Sequence, residues 1–402
     1  MSTFTKKIIV NVYNSNGGFI KSLPNFIFDS FTKELNGGLS ECVLQTNAGF
    51  DYSGIDLVLG NKVEIRVVDK DTVALSNDAA VIIYSGYISY IERDIDGPTE
   101  AVRIHLLGYY TLLALDILKN STQTTLYSNS TSGLTATIGS QDAADIALMV
   151  RGVIDRYRAE TVLPQLSYDV LDIPLAGQTA VYTFEQKTYR EALDVLRSLA
   201  PSGIFYYVDE TGKVSFKTKP TTPTHKFIFG RHFKKVHVEH SLEKVRNFLL
   251  VWNGKQSPSD IYEHYQDADS IAIHGRRADR ANDYGISTTG AADLLGARFL
   301  ADNKRPDVKV VCTIIDNNLD ENLGYNIEDI QPGDTCSFYG FAPGFDDIFQ
   351  DNMLITSVNY SLDSVEIVVE IIKSSLVDLQ TKQEGAIKDI SSGGLAIPTT
   401  YS

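Results

Sequence analysis

The sequence predicts a β-rich, mixed α+β fold with two small antiparallel β-barrels and an α+β insertion between them. Stretches in which apolar and polar residues alternate with period two fill the first 118 residues and return after residue 307. The chain between them has helical spacing, and the two alternating regions resemble one another in the order of their parts. At 402 residues the chain has room for two or three domains.

The composition is that of an ordinary globular protein. Hydrophobic residues make up 43% and charged residues 22%, so neither disorder nor a fibrous repeat is indicated. The chain contains 21 Tyr and 18 Phe but only 1 Trp, and most tyrosines lie in the alternating stretches, which favours strands. The three cysteines, Cys42, Cys312 and Cys336, are odd in number and widely spaced. They therefore predict buried apolar positions rather than a disulfide framework or a zinc cluster.

The charge balance is strongly acidic. A net charge of −15 disfavours nucleic-acid binding, because an acidic surface repels the phosphate backbone. The same charge is compatible with a channel through which a DNA duplex slides without sticking. There is no apolar segment of 18 residues, and the N-terminal apolar run is too short for a signal peptide. We therefore expect folding in a cytoplasm and no membrane span.

The first predicted barrel occupies residues 1–118. Short alternating stretches between Gly- and Asn-containing turns predict its strands: Lys6–Ile20 with an internal Asn-Gly turn, Asn25–Phe31, Leu39–Thr46, Lys62–Asp69, Val81–Asp94 and Glu100–Gly108. Several short strands of this kind are typical of a small antiparallel barrel or sandwich. A short apolar helix, Tyr109–Leu118, is predicted to end this unit.

Residues 119–225 are predicted to form the α+β insertion. Gln141–Thr161 has the apolar spacing of a helix. A second helix is predicted over Thr188–Leu199, where Thr188 and Glu191 have the spacing of a capping box. Two strands are predicted to follow, joined by a turn at Asp209–Gly212.

Residues 226–306 are predicted to contain returning strands within Phe227–Trp252, a polar loop at Tyr265–Tyr284 and a connecting helix at Thr289–Asp302. The second barrel is predicted over residues 307–382.

The second barrel begins with a strand at Val308–Ile315 and is predicted to close with a helix at Ser374–Lys382. Residues 383–402 have the composition of a flexible C-terminal tail.

An internal repeat relates the two alternating regions. Four parts recur in the same order: a glycine turn into a strand, an alternating strand, a strand after an acidic turn, and a short helix. The aligned pairs begin at Leu59 and Pro332, at Tyr84 and Asn352, at Glu100 and Asp363, and at Thr111 and Ser374. Any two antiparallel sheets alternate alike, so the pattern leaves that alternative open. A true repeat would let three chains in a ring present six similar units, which suits an adaptor between sixfold and threefold assemblies.

Motifs spread over most of the chain resemble the family of bacteriophage tail hub proteins. Each motif alone has low specificity, and the resemblance lies in their order and spacing: Thr188–Arg197, Gly203–Phe216, Arg280–Gly285, Ile330–Thr335 and Asn352–Val358. The resemblance implies two tube-like β-barrels separated by α+β insertions, in a homotrimer that continues the lumen of the tail tube. The chain departs from the family in lacking a long C-terminal extension, so the hydrolase or protease-like domain of some members is not expected.

The resemblance also implies partners and a location. The expected partners are the tail tube or distal tail protein on one side, and spike or tail-tip and baseplate proteins on the other. DNA is expected to pass through the lumen without specific binding, and the location is the virion tail.

The sequence lacks the signature motifs of the common hydrolases, NTPases and dehydrogenases. We therefore predict that the protein is not an enzyme, and we predict no catalytic, cofactor-binding or metal-binding residue.

Two polar clusters offer weaker metal-site alternatives. His232, His237 and His240 are close in sequence, but on a strand they would not converge on one ion. Asp316–Asn322 places oxygen ligands at alternate positions, as a calcium loop does, yet the Gly and Glu that complete such a loop are missing. We interpret the first as a solvated or interface strand and the second as a polar turn.

An acidic and a basic cluster remain. Asp346, Asp347 and Asp351 could serve a glycosidase, although an acidic loop on a barrel rim is the interpretation we favour. A local basic excess predicts salt bridges to acidic neighbouring subunits in preference to DNA contacts; its members are Arg276, Arg277, Arg280, Lys234 and Lys235.

The favoured hypothesis is a structural, homotrimeric hub of a phage tail tip or baseplate. A carbohydrate-active tail enzyme and a receptor-binding tail protein are the alternatives.

Overall fold

A computed structural model of the chain describes residues 6–23, 26–28, 30–46, 57–69, 80–96, 99–118, 144–160, 166–180, 182, 184, 187–233, 235–255, 260–283, 285–315, 326–340, 352–361 and 364–370. Two seven-stranded sheets and three smaller sheets lie within these residues, together with five α-helices and a short 3-10 helix at Ile327–Asp329. The β-rich α+β class predicted from the sequence is therefore confirmed.

The first sheet is built from the N-terminal alternating stretches. In chain order the strands of this region are β1 (Lys6–Tyr13), β2 (Phe19–Leu23), β3 (Phe26–Phe28), β4 (Phe31–Glu34), β5 (Cys42–Thr46), β6 (Lys62–Asp69), β7 (Val81–Asp96) and β8 (Thr99–Gly108). All of them except β4 belong to the first sheet. The spatial order is β2-β1-β6-β7-β8-β5-β3, and all neighbours are antiparallel.

Alternation along β6 shows how the two faces of this sheet differ. Val63 and Ile65 are buried in the core. Glu64 lies on the other face, where its carboxylate accepts hydrogen bonds from Lys62 at 2.9 Å and from Arg66 at 2.7 Å. The period-two pattern thus separates an apolar side from a polar side, as it does in any sheet with one packed face.

The helical region follows the first sheet. Its elements are α1 (Tyr109–Leu112), β9 (Ala144–Asp145), α2 (Ile146–Glu160), β10 (Thr179–Ala180), α3 (Tyr189–Leu199), β11 (Ile204–Val208) and β12 (Val214–Thr218). The predicted capping box of α3 is confirmed, because the Thr188 side chain accepts from Glu191 N and the Glu191 side chain accepts from Thr188 N. The predicted helix at Tyr109–Leu118 is shorter than expected, since α1 is a single turn.

The remaining elements are β13 (His225–Ile228), β14 (Val236–Ser241), β15 (Phe248–Trp252), β16 (Tyr262–Gln266), α4 (Ala268–His274), β17 (Ala278–Asn282), α5 (Thr289–Asn303), β18 (Asp307–Ile315), β19 (Thr335–Tyr339), β20 (Met353–Tyr360) and β21 (Ser364–Glu370). The second large sheet has the order β13-β19-β20-β21-β18-β14, and β4 also pairs with β20. A separate sheet has the order β16-β15-β17.

The prediction of a polar loop at Tyr265–Tyr284 is wrong, because α4 and β17 lie there. Asp267 caps α4 by accepting a hydrogen bond from Ser270 N at 2.9 Å. Strand β17 is polar and largely exposed, and it pairs in parallel with β15. Its pairing partner is distant in sequence and its apolar alternation is weak, so the local pattern did not predict a strand.

The internal repeat is confirmed for the strands that the structure describes. Strands β1, β3, β5, β6, β7 and β8 have the spatial order β1-β6-β7-β8-β5-β3. Strands β13, β14, β18, β19, β20 and β21 have the matching order β13-β19-β20-β21-β18-β14. One direction differs, since β1 is antiparallel to β6 whereas β13 is parallel to β19. The fourth aligned part, the helix predicted at Ser374–Lys382, falls outside the described residues.

The repeat extends to individual hydrogen bonds. Gly60 N donates to Ile88 O at 2.9 Å, and Gly333 N donates to Ile355 O at 2.9 Å. Both glycines have positive φ, 86° and 94°, a conformation that residues with a Cβ rarely adopt. The glycine at the head of each repeat is therefore required by the same turn.

A β-bulge also recurs and corrects one part of the sequence alignment. Ser89 is the extra residue where β7 faces β8, and Thr356 is the extra residue where β20 faces β21. Ile88 thus corresponds to Ile355, one position from the alignment predicted by pattern. The alignments of the first and third parts agree with the observed pairing.

The two large sheets share one hydrophobic core. The Phe31 ring lies between Tyr84 of the first sheet, at 5.0 Å between ring centroids, and Tyr360 of the second, at 5.3 Å. The helical region and the β15–β17 sheet share a second core. Strand β4 belongs to the predicted first segment but pairs in the second sheet. Strand β13 begins at the last residue of the predicted insertion. The division of the chain into five domains stays a prediction.

We expect Phe31→Ala to lower the free energy of unfolding by about 3–5 kcal/mol, because it leaves a cavity between the two sheets. Phe31 is 2% exposed. Urea unfolding followed by circular dichroism measures the change.

Phe19→Ala is the matched control, since Phe19 is also in a strand but is 57% exposed. Its effect is expected to stay within about 0.5 kcal/mol. Similar losses for the two variants would contradict the packing role of Phe31.

Candidate assembly surfaces

The segment Phe31–Gly38, here named the strap, connects the three main parts of the molecule. Its first residues form β4 on the second sheet, and Leu35 N donates to Thr356 O at 2.8 Å. Asn36 N then donates to Tyr206 O at 2.8 Å, in strand β11 of the helical region. The chain continues into β5 of the first sheet. The strap therefore determines how the sheets and the helical region are placed.

The strap residues suit this close approach. Asn36 has φ of +56°, a left-handed conformation that Asn tolerates better than most residues. A Cβ on Gly38 would lie 2.7 Å from Tyr110 Cβ and 2.9 Å from Val208 O. Only glycine fits there without movement of the helical region.

A buried lysine strengthens the same junction. Lys33 is 2% exposed, and its Nζ donates to Glu210 Oε2 at 3.2 Å and to Gln331 Oε1 at 3.0 Å. Glu210 lies in the turn between β11 and β12, and Gln331 precedes β19. A buried ammonium group is tolerated only when it is paired, so Lys33 joins the strap to both neighbours.

A buried polar network lies beside the strap. Tyr206 OH donates to Asp194 Oδ1 at 2.6 Å, and Tyr110 OH lies 3.0 Å from Tyr206 OH. Burial raises the pKa of Asp194, although the hydrogen bond from Tyr206 opposes this change. The Arg190 guanidinium lies 4.9 Å from the centre of the Tyr110 ring. The network links α1, α3 and β11, so its role is structural.

A polar cleft of about 290 Å³ lies between the β11–β12 hairpin and the turn before β19. Two of its carboxylates, Asp172 and Asp334, are paired with basic side chains. Lys213 Nζ lies 2.5 Å from Asp172 Oδ2, and this hydrogen bond is the largest cause of the lowered pKa of Asp172. His225 Nε2 lies 3.0 Å from Asp334 Oδ2. A carboxylate held in its ionised form is the opposite of what a general acid requires at neutral pH.

One face of the β15–β17 sheet is open to solvent. Leu249 and Val251 point into the helical core, so the alternate residues of β15 and its neighbours point outward. Trp252 is 41% exposed and Tyr262, its cross-strand partner, is 64% exposed. We name this surface the open sheet face, and it comprises Phe248, Leu250, Trp252, Tyr262, His264, Gln266, Ala278, Arg280 and Asn282.

The open sheet face is aromatic and basic. The Arg276 guanidinium lies 3.8 Å from the centre of the Phe248 ring, within cation–π distance. The His264 ring also stacks on Phe248, with 5.9 Å between the ring centroids. Exposed Trp, Tyr and Arg side chains are the residues enriched in protein–protein hot spots. The face therefore has the chemistry of a docking surface on a chain of net charge −15.

The basic cluster predicted from the sequence is only partly brought together. Arg276 and Arg280 reach the open sheet face. Arg277 lies apart and donates to Leu242 O at 3.1 Å. Lys235 precedes β14 in the second sheet, and Lys234 falls outside the described residues.

The three histidines do not form a common site. His232 lies in the turn before β14 rather than on the strand, and its Nδ1 accepts a hydrogen bond from Ile228 N at 3.1 Å. Burial lowers the pKa of His232, with a smaller contribution from Arg231. His237 and His240 are in β14. Among the described residues no group of three or more His, Cys, Asp or Glu side chains is arranged to hold a metal ion.

The acidic clusters Asp316–Asn322 and Asp346, Asp347 and Asp351 lie outside the described residues. The prediction for the cysteines is confirmed: Cys42, Cys312 and Cys336 are buried free thiols, and burial raises the pKa of each. No helix in the described part of the chain is long and apolar enough to span a bilayer.

The open sheet face was missed by the sequence pattern, which predicted a loop over β17. The signals that pointed toward it were the single Trp of the chain and the arginines at 276 and 280.

We expect Asp194→Asn to gain stability relative to the unchanged protein as pH rises from about 4 to 7. The pKa of Asp194 is raised in the folded state above its ordinary value of 3.8. The contribution of Asp194 to the free energy of unfolding is therefore fully present below pH 3.8 and is lost as the pH rises through the folded pKa. The amide does not ionise and keeps an oxygen that can accept from Tyr206. Urea unfolding at several pH values measures the difference.

Asp172→Asn is the control with the opposite sign. The pKa of Asp172 is lowered, so its contribution is present above 3.8 and is lost as pH falls through the folded pKa. The difference in free energy of unfolding between this variant and the unchanged protein should therefore shrink toward acidic pH. Parallel pH dependence in the two variants would refute the assignment.

Comparison with known proteins gives a fold but no sequence family. No protein-family model and no curated protein matches the sequence. Among solved structures, the prophage MuSo2 43 kDa tail protein from Shewanella oneidensis is similar with a TM-score of 0.56 at 14% identity, over 90% of this chain and 98% of that one.

Two other tail proteins are similar over comparable lengths. The tail protein from Neisseria meningitidis MC58 has a TM-score of 0.57 at 11% identity, over 90% of this chain and 96% of that one. The prophage tail protein gp18 from Listeria monocytogenes EGD-e has a TM-score of 0.52 at 11% identity, over 94% of this chain and 99% of that one. The resemblance to phage tail proteins that the sequence motifs indicated is thus confirmed, and the chain has the fold of prophage tail proteins.

Proposed function

We propose that this chain is the structural hub of a phage tail tip or baseplate, a homotrimer that joins the hexameric tail tube to the threefold spike or tip. The observation that carries the proposal is the duplicated strand order of the two large sheets, together with their matching turns and bulges. Each sheet is the wall of one tube-like β-barrel. Three chains then supply six similar barrels around a channel.

The five segments divide this work. The barrels at 1–118 and 307–382 sit against the tail tube or distal tail protein. The helical insertions and the tail at 383–402 face the spike, tail-tip or baseplate proteins. The fold similarity to prophage tail proteins supports a position in the virion tail. We propose that assembly takes place in the host cytoplasm.

Charge supports the passage of DNA through the channel. A net charge of −15 keeps a duplex from adhering to the protein, because like charges repel. The two arginines of the open sheet face are suited to acidic surfaces of neighbouring subunits or tail proteins. No enzymatic role is proposed, and two carboxylates of the polar cleft, Asp172 and Asp334, are paired with Lys213 and His225.

The carbohydrate-active alternative rests on Asp346, Asp347 and Asp351, which lie outside the described residues. Within the part of the chain that the structure describes, no feature specifically favours a receptor-binding role.

We expect native mass spectrometry to detect three copies of the 44.4 kDa chain per particle. Electron microscopy of the same sample should show a ring of six similar lobes around a central channel. The measurement is made with the chain alone and again with a tail-tube protein present, since binding to the tube favours the assembled state.

A stable monomer under both conditions would contradict the trimeric hub. A ring with a copy number other than three would contradict the proposed match between duplicated barrels and a sixfold tube.

A further inference from the structure

Strand β20 has two partners on one side. Strand β19 lies beside Met353 and Leu354, and β4 lies beside Ser357–Tyr360. Strand β4 comes from the connection between β3 and β5 of the first repeat. The second repeat is therefore completed by a strand from the first.

Strand β7 is the counterpart of β20 in the first repeat. Strand β6 covers Val81–Tyr87, and β8 covers the other side of β7 as far as Asp96. Within the residues that the structure describes, no strand pairs with Tyr90–Asp96 on the β6 side. On β7, the position equivalent to the one that β4 fills on β20 therefore has no described partner.

The direction of the backbone groups at this edge follows from the repeat. Thr32 N donates to Ser40 Oγ and Glu34 N donates to Gly38 O, so these amides point away from β20. The backbone groups of Lys33 and Leu35 therefore face β20, and Leu35 N donates a hydrogen bond to Thr356 O. Because backbone groups alternate along a strand, Thr356, Val358 and Tyr360 present theirs to β4.

The counterparts of these three residues in β7 are Ser89, Ile91 and Arg93, given the shared bulge at Ser89 and Thr356. Their outward N–H and C=O groups form a ladder edge that has no partner among the described residues, and such an edge is a template for another strand. We name Ser89–Arg93 the β7 edge.

We infer that the β7 edge pairs with a strand from a second copy of this chain, contributed by the connection between its β14 and β18, residues 242–306. Strand β4 lies in the β3–β5 connection, and the β14–β18 connection is its counterpart in the repeat. One repeat already completes the other within the chain. The corresponding junction, in which a strand of the second repeat completes the first repeat, is therefore made between neighbouring chains, head to tail, and it closes the ring. This inference rests on the proposed trimer.

Both surfaces expose aromatic side chains. Beside the β7 edge lies the exposed ring of Tyr90, which stacks on His105. The nearby carboxylates of Glu41 and Glu92 are paired within the chain with His105 and Arg103. Residues 242–306 carry the open sheet face, with Trp252 and Tyr262 exposed. Exposed aromatic rings on each side suit a contact between copies of the chain.

Replacement of Arg93 tests the inference with a matched pair of variants. Arg93→Pro removes the N–H that faces the open edge and leaves the hydrogen bonds between β7 and β8 in place, because proline is tolerated at an edge strand when its nitrogen faces outward. Arg93→Ala removes the same side chain and keeps the N–H. Arg93 is exposed, so neither change affects the core.

Trimer dissociation is followed by native mass spectrometry over a dilution series. Arg93→Pro should weaken association by about tenfold or more, whereas Arg93→Ala should stay within about threefold of the unchanged protein. Thermal unfolding of each variant, measured by circular dichroism, checks that the fold is kept. Equal association of the proline variant and the unchanged protein would overturn the inference.

Hydrogen exchange on the unchanged full-length chain provides a second test that does not depend on the proline variant folding. The outward amides of Ser89, Ile91 and Arg93, and amides within residues 242–306, should gain protection when the trimer forms. Protection of these three β7 amides already in the monomer would mean that the chain covers its own edge, and protection gained only elsewhere would mean that another surface forms the ring. Either result overturns the inference and leaves the trimer intact, whereas a chain that never associates overturns both.

Discussion

The packing of Phe31 between Tyr84 and Tyr360 is the contact on which the arrangement of this molecule depends. One ring belongs to the strap, one to the first sheet and one to the second. Because a protein interior is close-packed, none of the three rings can move without a change in both sheets. The backbone of the strap adds β4 to the second sheet and hydrogen bonds to β11, and Lys33 adds a buried charge whose partners lie on either side. A short segment therefore holds two sheets and a helical region in one arrangement.

The two repeats keep the same framework and differ in what is inserted into it. Turns that begin with Gly60 and Gly333 use the same hydrogen bonds, and the bulges at Ser89 and Thr356 bend equivalent strands. The connection that is short in the first repeat and contains β4 is expanded in the second to residues 242–306, with a sheet and two helices. Surface connections accept such insertions because the entropy of loop closure grows slowly with length. In the proposed trimer, a sixfold framework would thus carry threefold features.

Charged groups have separate roles inside and outside the molecule. Interior ones, such as Lys33 and Asp194, are paired or hydrogen-bonded and orient neighbouring elements. The exposed arginines at 276 and 280 lie on an aromatic surface of an otherwise acidic chain. Acidic repulsion and local basic attraction together favour contact through that surface over contact elsewhere.

Much of the local structure could be predicted from neighbouring residues. The capping box at Thr188 and Glu191, the hairpin of β11 and β12, and the alternating strands were all predicted, because side-chain periodicity and turn chemistry act over a few residues. The repeat was also visible, although its second part was aligned one residue off, since alternation does not reveal a bulge. Of the candidate docking surface, only the isolated arginines were seen.

By itself the sequence determined most of the strands and helices, with α4 and β17 as exceptions, and it predicted that the three cysteines are buried. Tertiary structure alone decided that β4 leaves the first sheet to join β20, that β17 pairs with β15, and that the edge of β7 lacks a described partner. The physical reason is that a strand's own pattern specifies one buried face but not its neighbour. The neighbour is chosen by packing and hydrogen bonding between residues that lie far apart in the chain.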